Sequence, residues 1–181
     1  MPSPESSSPV YSKNTLEFIA VAKSYCDVLD TLDQMEKERL VEVMLRLLPL
    51  LYLKGSLLPS TELMGDGTVE AFATETHYGL LAEQMAHLLE ADDAYVNVYH
   101  PDIALADGAV ASSVSEGLAD IWQVMYDVVE VFRQGYDEAM NDALYVCKEA
   151  FAGEWGATLL NVLRALHGIR YTESAPLTDE E

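Results

Sequence analysis

Cations are scarce in this chain. Ten Lys and Arg stand against 31 Asp and Glu among 181 residues, a formal net charge of -21. Phosphate recognition depends on cationic side chains releasing counterions, so nucleic acid is a poor partner. An anionic membrane leaflet would repel the same surface. Cysteine is scarce too. Cys26 and Cys147 lie about 120 residues apart inside helix-like patterns and read as buried free thiols of a cytoplasmic protein, not as a disulfide or a metal pair. Long apolar runs are missing. The longest, residues 47–53, contains Pro49 and falls far short of the roughly 20 residues that span a bilayer. The Pro- and Ser-rich start, residues 1–12, has no basic-then-apolar leader pattern. No Walker loop, G-x-G-x-x-G, G-x-S-x-G or paired C-x-x-C occurs.

What is present is apolar and helical. Half of the residues are hydrophobic, which excludes disorder of the whole chain and suits one domain that buries roughly 70% of its unfolded surface. The acidic excess is spread through the chain. Without residues 1–11 and 172–181 the body keeps 26 acids against ten bases.

The first helix is expected from Asn14, with Leu16, Ile19, Ala22, Tyr25, Cys26 and Leu29 on its apolar side. A second starts near Lys37, and Pro49 predicts a kink or break before Leu50. A third is placed at about residues 69–90. Residues 92–115 read as loop, and the weak alternation at 95–99 is rejected as a strand because nothing would pair with it. The fourth helix carries the firmest signals: Ser113 and Glu116 as a capping box, Gly135 as its stop. Residues 137–167 predict one helix or two, with Gly153 and Gly156 as break points and Gly168 as the end. The expected fold is all-α, a single-domain bundle of about five to seven helices over residues 13–170, between a disordered N-terminus (1–12) and a flexible acidic tail (171–181).

Three stretches carry a family resemblance. They are Leu47-Leu48-Pro49-Leu50-Leu51-Tyr52-Leu53-Lys54-Gly55, then Leu118-Ala119-Asp120-Ile121-Trp122, then Asn141-Asp142-Ala143-Leu144 through Trp155-Gly156 to Leu163-Arg164-Ala165-Leu166-His167. Together they resemble a bacterial family of uncharacterised all-helical proteins, domain of unknown function 5063, over roughly residues 14–170. The resemblance implies a helical fold and one domain. It implies no activity, substrate or catalytic residue.

Three constellations bear on function. On the fourth helix Asp120, Asp127 and Glu130 fall within about 40° of Glu116 on either side at 100° per residue, an acidic ridge that could dock a basic protein partner. Arg164 and His167 lie one turn apart on the last helix. With Tyr95, His100 and Asp102 they are candidates for an anion or ligand site between helices; the plainer reading pairs Arg164 with an internal acid and sets His167 on the helix's last carbonyls. The carboxylates and the scattered histidines do not converge at metal-ligand spacing, so no metal, cofactor or catalytic residue is assigned. The leading expectation is a non-enzymatic protein that binds another macromolecule through its acidic helical surface. A small-molecule or metal-dependent enzyme is the alternative. A homodimer is also expected, because so large an apolar fraction can exceed what one bundle hides.

Overall fold

The computed structural model describes residues 8–97 and 110–172. It runs α1 (Lys13–Leu29), α2 (Lys37–Ser56), α3 (Glu75–Leu89), strands β1 (Ala94–Asn97) and β2 (Val110–Ser113), α4 (Val114–Gln134), α5 (Asp137–Ala150) and α6 (Gly156–Tyr171). The domain is all-α apart from the two short strands.

α4 is the central pole, touching α1, α3, α5 and α6. Its sequence explains why. Leu118, Ile121, Trp122, Met125, Val128 and Val131 recur at helical spacing and are all buried. Ser113 Oγ accepts the Glu116 amide at its start, and Gly135 at φ +78° closes it in the left-handed conformation that glycine adopts without strain. Buried Tyr25 of α1 donates its hydroxyl to the Leu118 carbonyl at 2.8 Å, tying α1 to the pole.

Several expectations are corrected. α1 begins one residue early, because Ser12 accepts the Thr15 amide, and Leu16 is half exposed while Phe18 joins the core. Residues 8–12 do not belong to a disordered end. Pro9–Tyr11 form a 3₁₀ turn with Val10 buried, Thr15 Oγ1 donates to the Pro9 carbonyl, and Tyr11 donates to Asp137. α2 runs unbroken through Pro49: the proline is exposed, while Leu48 and Leu51 on either side, and Gly55 beyond, are all in the core only if the helical path continues. The lost amide costs less there than withdrawing that face would. The last helix extends to Tyr171, past Gly168.

The last two helices form one rod, interrupted by a π turn at Phe151–Trp155. Trp155 explains the widening. Its indole is buried against Phe18 and Phe151, and its Nε1–H donates to the Cys147 carbonyl at 2.9 Å. The rejected strand exists: β1 and β2 pair antiparallel, Tyr95 facing Ser112 and Asn97 facing Val110. The missing partner was β2, whose small residues carry no strand signal.

The third helix starts at Glu75, not near residue 69, because two aspartates hold the preceding chain in non-helical form. Asp142 is buried and accepts the amides of Met64 (2.7 Å), Gly65 (2.8 Å) and Gly67 (3.2 Å), while Asn141 donates to the Glu62 carbonyl at 2.7 Å. Asp127 accepts the amides of Phe72 and Ala73, both at 2.7 Å. Thr74 then caps α3 through the His77 amide. Among the described residues no helix is long and apolar enough to cross a membrane.

Two outcomes follow from this packing. Burial raises the Asp142 pKa, but the three amides and Asn141 together outweigh it and hold the carboxyl below the usual carboxylate range. A depressed folded pKa stabilises the fold above about pH 4 and loses that contribution as pH falls further. Asp142→Ala leaves donors unpaired, should cost about 2–4 kcal/mol, and should flatten the loss of stability below pH 4 seen in urea titrations. Cys26 and Cys147 are free and buried, and burial pushes both thiols up to about 12. Neither should react with an aromatic disulfide reagent at pH 8 in the folded protein; both should react in guanidinium.

Candidate functional site

β1 faces α6 across an open cavity of about 420 Å³. Tyr95 and Val96 form one wall; Asn161, Arg164, Ala165, His167 and Gly168 form the other. The α6 residues recur at steps of three and four, so they share one face of the helix. The structure thus brings Tyr95, Arg164 and His167 to one place. His100 and Asp102 lie outside the described residues.

Among the described residues neither plainer reading of the basic pair is seen. Arg164 is exposed and pairs with no acid among the described residues. His167 rests its ring on Tyr171, centroids 4.7 Å apart, and the end of α6 is closed by the Thr172 amide donating to the Gly168 carbonyl. Lys23, Arg39, Arg46, Lys54 and Arg133 each pair with a carboxylate, whereas Arg164, like Arg170 and Lys148, makes no ion pair among the described residues.

A second cavity, of about 220 Å³, shares Tyr95 and Asn161 with the first as lining residues. Its further wall is acidic and hydroxylic: Asn97, Ser112, Ser113, Glu116, Asp120 and Thr158. Asn97 is 8% exposed; its amide nitrogen donates to Ser112 Oγ at 3.4 Å, and its Oδ1, sealed from solvent, has no hydrogen-bond partner among the described residues. A buried unpaired carbonyl is uncommon and costly. Burial raises the Tyr95 phenol pKa, an effect the Ser112 hydroxyl partly offsets.

The acidic ridge divides on inspection. Glu116 is exposed in the second cavity. Asp120 accepts the Tyr78 hydroxyl at 2.7 Å, Asp127 holds Phe72 and Ala73, and Glu130 pairs with Arg133 at 2.5 Å. Three of its four carboxylates therefore have partners within the chain. Among the described residues no group of three or more His, Cys, Asp or Glu gathers around a point where a metal could sit.

Sequence reasoning passed over Asn97, Asn161 and Thr158. The stripe Thr158, Asn161, Ala165, Gly168 of small and polar residues on α6 was the available signal, since a fully packed helix face carries larger apolar groups. Asn97 was hidden by the rejection of its strand.

The floor of the site depends on Gly117. A Cβ built there would sit 2.4 Å from Val162 Cγ2 and 3.5 Å from Thr158 Cγ2, so α4 and α6 cross more closely than any side chain allows. Gly117→Ala gains up to about 1 kcal/mol of helix propensity but overpacks a buried β-branched neighbour at about 1–3 kcal/mol. The variant should melt below the parent, and pairing it with Val162→Ala should make the glycine substitution neutral or favourable in the same thermal assay.

Comparison with known proteins places the chain in context. Residues 9–172 match the family model described as domain of unknown function DUF5063. The fold is similar to the crystal structure of protein BF1032 from Bacteroides fragilis, at 37% sequence identity and a TM-score of 0.82, over 93% of this chain and 99% of that one. No curated protein matches.

Proposed function

We propose that this chain, which belongs to the DUF5063 family, binds a small molecule through an anionic group, a carboxylate or a phosphate, in the cavity between β1 and α6. The observation that carries this reading is Arg164. It is an arginine that makes no ion pair among the described residues, in a protein of net charge -21, standing in a cavity wall beside His167 and Asn161. The guanidinium presents a planar fork of donors that matches both carboxylate and phosphate. The cavity volume fits a metabolite-sized ligand.

The macromolecular reading, docking of a basic partner on the α4 ridge, has less support. Asp127 and Asp120 hold the α2–α3 connection and α3, and reversing their charge would disturb the fold before it disturbed a partner. The two buried free thiols fit a cytoplasmic setting, which belongs to this proposal.

The test is titration of the full chain with inorganic phosphate, glutarate and hexanoate, followed by amide chemical shifts and calorimetry. At least one should bind saturably and move the amides of residues 161–168. Arg164→Gln should weaken it tenfold or more, as expected for losing a hydrogen bond to a charged group, with little change in melting temperature because the side chain is exposed. Arg164→Lys should fall between. Equal binding by Arg164→Gln and the parent would overturn the proposal.

A further inference from the structure

We infer that two copies of the chain associate through an apolar stripe on the outer face of α2, formed by Leu50, Leu53 and Leu57. This is independent of the cavity between β1 and α6.

α2 carries apolar residues on two sides. Met44, Leu48, Leu51 and Gly55 are buried in the core. Leu50, Leu53 and Leu57 are 41%, 51% and 42% exposed, and Pro49 beside them is exposed as well. At 100° per residue the three leucines fall within about 60° of one another, a single line along the helix. Their spacing of i, i+3 and i+7 is that of a coiled-coil seam, which is completed by a second helix. One exposed leucine is ordinary, but three in line over two turns make a patch. α6 adds to it. Gly55 meets Trp155, and Val41 shares a crevice with Ile169, so the two helices run antiparallel. Leu160, five residues after Trp155, therefore stands level with Leu50, and it is 48% exposed.

Charge selects a second copy as the occupant. Two bodies of net charge -21 repel unless they meet where carboxylates are missing. Residues 43–61 contain no Asp or Glu in a chain that has 31, and residues 155–172 of the neighbouring rod contain none either. Glu42, just before the first stretch, pairs with Arg39 and Arg46, and Glu17 of α1 pairs with Lys54. This side of the bundle is thus the one on which a like-charged copy can approach closely. A two-fold interface also requires a patch that complements itself. The stripe does so when two α2 helices cross antiparallel: Leu53 sits near the axis and Leu50 lies opposite Leu57 of the other copy.

The size of the patch sets the strength. With Pro49 and Leu160 it offers on the order of 400 Å² per copy, about half of what a standard interface buries on each side, which suits a pair that forms at micromolar concentrations. A separate apolar groove, of about 390 Å³ and lined by Val10, Leu16, Ile19 and Phe132, is rimmed by two ion pairs, Lys23 with Asp27 and Arg133 with Glu130. It serves as the control face.

The experiment is sedimentation equilibrium of the full chain across about 1 µM to 1 mM, at low and high sodium chloride. The mass should rise from monomer to dimer with concentration. Added salt should tighten the pair, because screening relieves repulsion between the acidic bodies and leaves the leucine contact untouched. Leu53→Glu and Leu57→Glu should each weaken dimerisation at least tenfold, and Leu53→Ala should fall between. In dilute solution all three should melt close to the parent, because these positions are exposed in the monomer. Leu16→Glu, at a position of similar exposure in the control groove, should dimerise like the parent. A monomer at every concentration and salt would leave the stripe to a different occupant and overturn the inference. So would a dimer that ignores both glutamates on α2, one that Leu16→Glu breaks, or one that salt weakens.

Discussion

The fold turns on carboxylates that accept backbone amides. Between α2 and α3 the chain runs 18 residues, 57–74, without a helix or strand. Such a stretch has no ladder to satisfy its own N–H groups, and connections of that length are unusual in compact domains. Here Asp142 takes three of those amides and Asp127 takes two. Each ionised carboxylate offers several lone pairs and makes charge-assisted bonds, so one side chain can pin a bend that neutral residues could not. Without these anchors α3 would lose its entry point, and Tyr78 would not meet Asp120.

This casts the acidic composition in a different light. Asp93 repeats the device at the base of the hairpin, accepting both the amide and the hydroxyl of Ser115 at 2.7 and 2.8 Å. Acids that look like a solvated face in the sequence act as acceptors for loops and helix starts. The bases meanwhile close ion pairs, such as Lys54 with Glu17 at 2.6 Å and Lys37 with Asp92. Most such pairs are surface pairs of small energetic value. Arg164 makes no such pair among the described residues, nor do Lys148 and Arg170, and of these three Arg164 alone stands in the wall of the cavity between β1 and α6.

Regular periodicity was legible and long-range capture was not. The apolar stripe of α4, its Ser113 cap and its Gly135 stop depend on neighbours within a few residues, and all three stand as read. The buried thiols stand too, because Cys26 and Cys147 lie in apolar stripes of α1 and α5. Asp127 was misread as exposed ridge because its partners are 54 and 55 residues away. The hairpin was missed for the same reason: Tyr95 pairs with Ser112 across a connection, and β2 is too short and too small-residued to announce itself. Pro49 shows a local rule losing to burial on both sides of it. At the candidate site, Arg164 and His167 could be found from their spacing, whereas Asn97 and Glu116 joined them only through the tertiary fold.

The hairpin is the least self-sufficient element and also the one that forms a wall of both cavities. Two strands of four residues have little independent stability in water. They are held by their ends instead: Asp93 ties the entry of β1 to Ser115, and Ser113 at the end of β2 is itself the cap of α4. The α4 N-terminus and the hairpin base are thus one joint, while Gly117 one turn later lets α6 approach the same joint closely. Tyr95 is carried to its place opposite Asn161 and Arg164 by that joint and not by any contact of its own strand with a larger sheet. The hairpin packs Tyr95 against the helical core and also forms the wall of the cavity that faces Asn161, Arg164 and His167 of α6.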